Sequence, residues 1–139
     1  MKHTKTNFRA IREICGLSQA DMADLAGVSI STIKRWERPE GQEPPDDVWE
    51  TLEDWHRRHG EMVKASIGIV ADLTEQHGRL KVITLPYWRT QAEYDLHGRD
   101  DGIYSVINAA SRAVAERLWD EGLAVEFIPF DERGEEVRE

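Results

Sequence analysis

The 139-residue sequence holds a single cysteine, Cys15, which excludes an internal disulfide and a cysteine-rich zinc site. No apolar stretch approaches the roughly 20 residues of a membrane-spanning helix. Met1 to Arg12 lacks the apolar core of a signal peptide, so a cytoplasmic protein with no membrane partner is expected. Cations are scarce: 18 Lys and Arg stand against 27 Asp and Glu, a net charge of −9. That balance repels a polyanion and rules out a strongly basic, non-specific nucleic-acid coat. The sequence also lacks a phosphate-binding glycine loop, a nucleophile elbow and a converging catalytic pair, so neither an enzyme nor a cofactor is expected. What remains is ordinary for a soluble folded chain of one domain or two small ones, with 40% hydrophobic and 32% charged residues.

The charge is unevenly placed. Met1 to Arg38 carries seven cations (Lys2, Lys5, Arg9, Arg12, Lys34, Arg35, Arg38) and four anions, a net +3, while the remaining residues hold 11 cations against 23 anions, a net −12. One end could face phosphate and the rest would be pushed from it.

From Phe8 the apolar residues fall at Phe8, Ile11, Ile14, Cys15 and Leu17, one helix face, with Gly16 as its left-handed stop. Ser18 reads as an N-cap with Asp21 at the capping-box position. The helix it opens turns Met22, Ala23, Leu25 and Ala26 inward and ends at Gly27. Ser29 caps a third short helix that buries Ile33 and Trp36 and ends near Arg38-Pro39. Two short helices joined by a glycine-containing turn are the helix-turn-helix signal.

After the loop Pro39 to Pro45, Pro45-Asp46-Asp47 restarts a helix whose apolar face runs Val48, Leu52, Trp55, Met62, Val63, Ile67, Val70 and Leu73. Unbroken to Gln76 it would extend about 45 Å, and a break or kink near Gly60 is expected. Leu80 to Pro86 reads as a short strand, Tyr87 to Gly102 as irregular, Ile103 to Glu121 as a helix and Leu123 to Phe130 as a second strand. The two strands share a pattern, Val82-x-x-Leu85-Pro86 and Val125-x-x-Ile128-Pro129. A lone two-stranded sheet is marginal in water, so the strands need a helix over them or a partner's strands beside them. The second option would build a homodimer through the C-terminal half; the first would complete a monomer's core. Residues 131–139, DERGEEVRE, are expected to be a flexible acidic tail.

Over Leu17 to Glu37, LSQADMADLAGVSISTIKRWE, the sequence resembles the Cro/repressor-type (XRE-like) helix-turn-helix regulators. Ala23 suits the crossing of the two helices, Gly27 the turn, Val28 its plug, and Ile33 and Trp36 the buried face of the second helix. The resemblance implies a second helix lying in the major groove, where base edges are distinguishable. Its exposed positions, Ile30, Ser31, Thr32, Lys34 and Arg35, become the candidate base readers: Ile30 for a thymine methyl, Ser31 as an adaptable hydrogen-bonder, Arg35 for guanine. Gln19 aligns with a phosphate-contacting residue, and Arg38 is a second phosphate clamp. The alternative for Lys34, Arg35 and Arg38 is a solvated helix end. Where the family has Trp-Glu-x-Gly, this chain has Arg38-Pro39-Glu40-Gly41, with the glycine displaced. In layout, the helix-turn-helix, the helix from Pro45 to Trp55, the strand ending in proline and the late alanine-rich helix are similar to small bacterial and phage regulators with a C-terminal αβ tail, including anti-CRISPR-associated regulators. That similarity implies dimerisation through the tail.

Other candidates have plainer alternatives. His56, His59 and Glu61 have helical spacing for a metal, but two arginines lie between the imidazoles and the usual zinc spacing is different, which leaves a solvated helix end and no metal. Cys15 sits on an apolar face and reads as a small hydrophobe rather than a redox sensor. Tyr87, Trp88, Arg89, Tyr94 and Arg99 could stack on single-stranded RNA or cap the core.

The expected fold is mainly α: an N-terminal, lambda-repressor-like helix-turn-helix domain over 1–60, an αβ dimerisation segment over 61–130 with about two short strands, and the tail. The expected function is sequence-specific binding of a double-stranded DNA operator by a homodimeric (auto)repressor that reads with helix 30–37. The alternative is an antitoxin-type interaction module whose acidic C-terminal half binds a protein partner.

Overall fold

Capping chemistry sets the first three helices of the computed structural model, which describes residues 1–130; the tail 131–139 expected above lies outside the described residues. Thr4 accepts from the Asn7 amide at 3.0 Å and opens α1 (Lys5–Ile14). Ser18 and Asp21 form a reciprocal capping box, each hydrogen bond 2.9 Å, at the start of α2 (Gln19–Ala26). Gly27 ends α2 in the left-handed region, φ 69°, where a Cβ would be strained. Ser29 accepts from the Thr32 amide at 3.2 Å and starts α3 (Ile30–Glu37).

These elements and the start of α4 (Asp46–His77) form the first of two compact units, Met1–His59 and, among the described residues, Gly60 onward. Phe8, Cys15, Leu17, Met22, Ile33, Trp36, Trp49 and Leu52 make its core. Phe8 meets Trp49 and Trp36 edge-on, with ring centroids 5.4 and 6.4 Å apart. Each such side chain contributes about 1.5–3 kcal/mol by leaving water. His3 lies flat on Trp49, centroids 4.2 Å apart, with Nε2 2.8 Å from Glu53 Oε1, and so holds the N-terminal segment on α4.

The second unit holds the rest of α4, β1 (Ile83–Pro86), α5 (Gln91–His97), α6 (Tyr104–Asp120) and β2 (Val125–Ile128). The strands pair parallel, Ile83 with Val125 through Pro86 with Ile128. Parallel pairing needs a crossover, which α5 and α6 supply. Val63 and Val70 of α4, Ile83 and Leu85 of β1, Val125 of β2, and Ala110, Val114, Ala115 and Leu118 of α6 form one core. Asn108 ties α6 to the chain after β1: its Oδ1 accepts from the Trp88 amide and its Nδ2 donates to the Trp88 carbonyl, both at 2.8 Å. No helix among the described residues is long and apolar enough to cross a membrane.

The mainly α class with two short strands is as expected, and four details differ. The helix α4 is unbroken through Gly60; one glycine weakens a helix by about 1 kcal/mol, too little to end one that buries residues on both sides of it. For the same reason His56 and His59 are mid-helix rather than at a solvated end, and His59 is buried. Tyr87 to Gly102 is not wholly irregular, because Thr90 accepts from the Glu93 amide at 3.1 Å and nucleates α5. The strands pair with Ile83 opposite Val125, so the shared Val82-x-x-Leu85-Pro86 and Val125-x-x-Ile128-Pro129 patterns lie one residue out of step across the ladder. Finally, Ile14 is 51% exposed, off the buried stripe of α1. The strands also find each other within one protomer, so strand pairing supplies no reason for a dimer.

Candidate nucleic-acid interface

The placement of α3 against α1 and α2 leaves one of its faces in solvent. Ile33 and Trp36 point inward, while Ile30, Ser31, Lys34 and Arg35 are exposed, Ile30 at 44%. Thr32 differs from its neighbours in being half-buried: its Oγ1 lies 3.0 Å from Ser29 Oγ and accepts from Arg35 Nη2 at 3.1 Å. Thr32 therefore steadies the Arg35 guanidinium along the helix instead of projecting beside it.

Two contacts that the charge count concealed fix this helix. Arg12, on the buried face of α1, donates from Nε to Glu37 Oε2 at 2.6 Å and from Nη2 to Glu37 Oε1 at 2.9 Å, with Nη1 on the Leu17 carbonyl at 2.8 Å. The two side chains are 8% and 5% exposed. Fork-shaped pairing of this kind satisfies a buried carboxylate in a way a single bond does not. Lys5 meanwhile donates its Nζ to the carbonyls of Arg35 and Trp36 in the last turn of α3 and of Gln42 in the loop beyond it. Arg12 had a readable signal, since it falls at helical spacing from Phe8 on a buried stripe. Lys5 had none, because its partners lie some thirty residues away in sequence.

Gln19, Lys34, Glu37 and Arg38 surround a shallow recess of about 350 Å³. Both expected phosphate residues, Gln19 and Arg38, are thus brought together with Lys34. Gln19 Nε2 donates to Glu37 Oε1 at 3.3 Å, which orients its carboxamide. Glu37 would repel a phosphate, but its carboxylate is already taken by Arg12. The cations left to the recess and its rim are Lys34, Arg35 and Arg38, all exposed.

The remaining candidates are otherwise engaged. Cys15 is wholly buried, and burial pushes its thiol up to about 11. Trp88 and Tyr94 are buried edge-to-face at 4.8 Å, Trp88 stacks on Phe130 at 4.8 Å, and Tyr87 packs on Phe127, so these rings cap a core rather than present faces to bases. Arg89 and Arg99 remain exposed. Asp54 holds Arg57 and Arg58 beside His56, and no cluster of three metal-ligating side chains occurs among the described residues.

No curated protein matches the chain. The helix-turn-helix family matches residues 8–53, the stretch that contains most of α1, all of α2 and α3, the recess and the start of α4. Residues 8–53 are similar to the helix-turn-helix family, and this domain supports a DNA-binding transcription regulator of the Cro/repressor (XRE) type.

Proposed function

We propose that the protein is a homodimeric, sequence-specific repressor that acts on its own operator, with α3 in the major groove and residues 61–130 joining the protomers. Ile30, Ser31 and Arg35 read base edges, Lys34 reaches base or phosphate, and Gln19 and Arg38 clamp phosphates across the recess. The observation that carries this reading is the neutralisation of Glu37 by Arg12. It leaves a cationic, exposed face on a helix locked from behind, which is what directional readout requires. Non-specific affinity is low and salt-sensitive, because the body beyond Arg38 carries −12.

Selection of bound sequences from a randomised DNA library tests this. The expected product is a two-fold symmetric site with half-sites about 34 Å apart. Enrichment of nothing beyond bulk duplex would overturn it. An antitoxin-type role rests on the same −12, and co-purification of a small basic protein through residues 46–139 would favour it.

A further inference from the structure

A cavity of about 810 Å³ opens in the second unit beside Pro86, the last residue of β1, a size within the range of small-molecule sites, about 300–1,000 Å³. Its lining is graded from apolar to charged. Trp88 and Tyr94, 8% and 4% exposed, meet edge-on at 4.8 Å and form its floor. His97, Ile107 and Phe130 are half-buried walls, and Arg99 and Asp100 stand exposed at its rim. Phe130 stacks on Trp88 at 4.8 Å and lies 5.0 Å from the His97 ring, so the walls are as aromatic as the floor.

The rim is held in place by its own contacts. Residues 98–102 pass so close to Tyr94 that a Cβ on Gly98 would lie 2.6 Å from the Tyr94 carbonyl oxygen and 2.9 Å from its ring carbons. Asp100 Oδ1 accepts from the Tyr94 hydroxyl at 2.6 Å and from the Gly102 amide at 2.8 Å. Gln91 closes the loop: its Nε2 donates to the Gly102 carbonyl at 2.9 Å and its Oε1 accepts from the Tyr104 amide at 3.2 Å. Both bonds to Asp100 fall on Oδ1, and none among the described residues falls on Oδ2. Arg99 has no hydrogen bond or ion pair among the described residues, not even to Asp100. A guanidinium and a carboxylate, neighbours in sequence, thus line one aromatic cavity without pairing.

We infer that this cavity binds an aromatic α-amino acid, with its ring among the half-buried walls, its carboxylate on Arg99 and its ammonium on Asp100 Oδ2. The two rim charges decide the class. A simple anion would meet the Asp100 carboxylate and a simple cation the Arg99 guanidinium, whereas a zwitterion satisfies both. The walls select the side chain, because Phe130 and His97 offer ring faces and edges that an aromatic ring fills in offset or edge-on contact. A loop already fixed by Tyr94, Gly98 and Gln91 loses little freedom on binding. The inference is independent of the operator and of the dimer.

Calorimetric titration of the full chain tests the inference, with L-phenylalanine and L-tryptophan as probes and two truncated analogues beside them: phenethylamine, which lacks the carboxylate, and hydrocinnamate, which lacks the amine. Wild type is expected to bind at least one amino acid saturably with a dissociation constant below about 1 mM, and each analogue about tenfold more weakly. Arg99→Ala is expected to weaken the amino acid about tenfold and to leave phenethylamine unchanged. Asp100→Asn keeps the Oδ1 acceptor, so its circular dichroism and melting curve should match wild type; it is expected to weaken the amino acid about tenfold and to spare hydrocinnamate. No saturable binding of either amino acid up to about 10 mM overturns the inference. Binding that both variants leave unchanged overturns it as well, and so does an equal affinity for L-leucine.

Discussion

Glu37 accepts from both Nε and Nη2 of Arg12, and through this pair α1 is joined to the last residue of α3. Two consequences meet in one contact: the helix is anchored from behind, and an acid at the edge of the recess proposed to hold phosphate loses its repulsion. Removing one partner strands a buried charge, so Arg12→Met and Glu37→Leu are each expected to cost about 3–5 kcal/mol. The double substitution Arg12→Met with Glu37→Leu is expected to cost less than the sum. Urea denaturation of the four proteins gives the cycle, and additive losses would mean that the pair is not coupled.

Lys5 separates support from contact. Lys5→Met keeps the alkyl stem and loses two donations to the last turn of α3 and one to the Gln42 carbonyl, which is expected to cost about 1–3 kcal/mol of stability. Operator affinity should fall alike for all sequences, with the salt slope unchanged, because Lys5 touches no phosphate in this account. Arg38→Ala is the contrasting case: stability is unchanged and the slope of log affinity against log salt flattens by about 0.9. Binding titrations from 50 to 200 mM salt distinguish the two, and identical slopes would contradict the assignment.

Tyr94 gives the second unit a pH signature. Burial first, then its hydrogen bond to Asp100 at 2.6 Å, pushes the phenol up to about 12. A folded value above the ordinary one, about 10, means that the stabilisation is complete below pH 10 and is lost as pH rises from 10 towards 12. Tyr94→Phe should lower the denaturation midpoint at pH 8 by the equivalent of about 1 kcal/mol and show a shallower fall from pH 10 to 12. Parallel curves for the two proteins would contradict this.

Legibility differed between the units for a physical reason. The N-terminal helices announce themselves locally, through Ser18 with Asp21, Gly27, and Ser29, and each of these contacts spans only a few residues. Thr90 with Glu93 carries the same local signal for α5, but the aromatic and polar residues around it mask the period. The unbroken α4 and the Ile83–Val125 register depend on packing across tens of residues, which hydrophobic spacing alone does not contain. Trp49 shows the limit well: it is buried against Phe8, yet it lies beside the stripe that Val48 and Leu52 define. At the site, the exposed residues of α3 were readable from the motif, whereas Lys5 and the Arg12–Glu37 pair emerge only when distant segments meet.

The assignment of the reading face has its most direct test in parallel selections from one randomised DNA library by wild type and Arg35→Ala. A bidentate arginine to guanine is worth about 1–3 kcal/mol. The account predicts that the variant enriches the same site with one base position per half-site relaxed and with affinity lower by that amount. An unchanged site bound with unchanged affinity would show that α3 does not read DNA through Arg35.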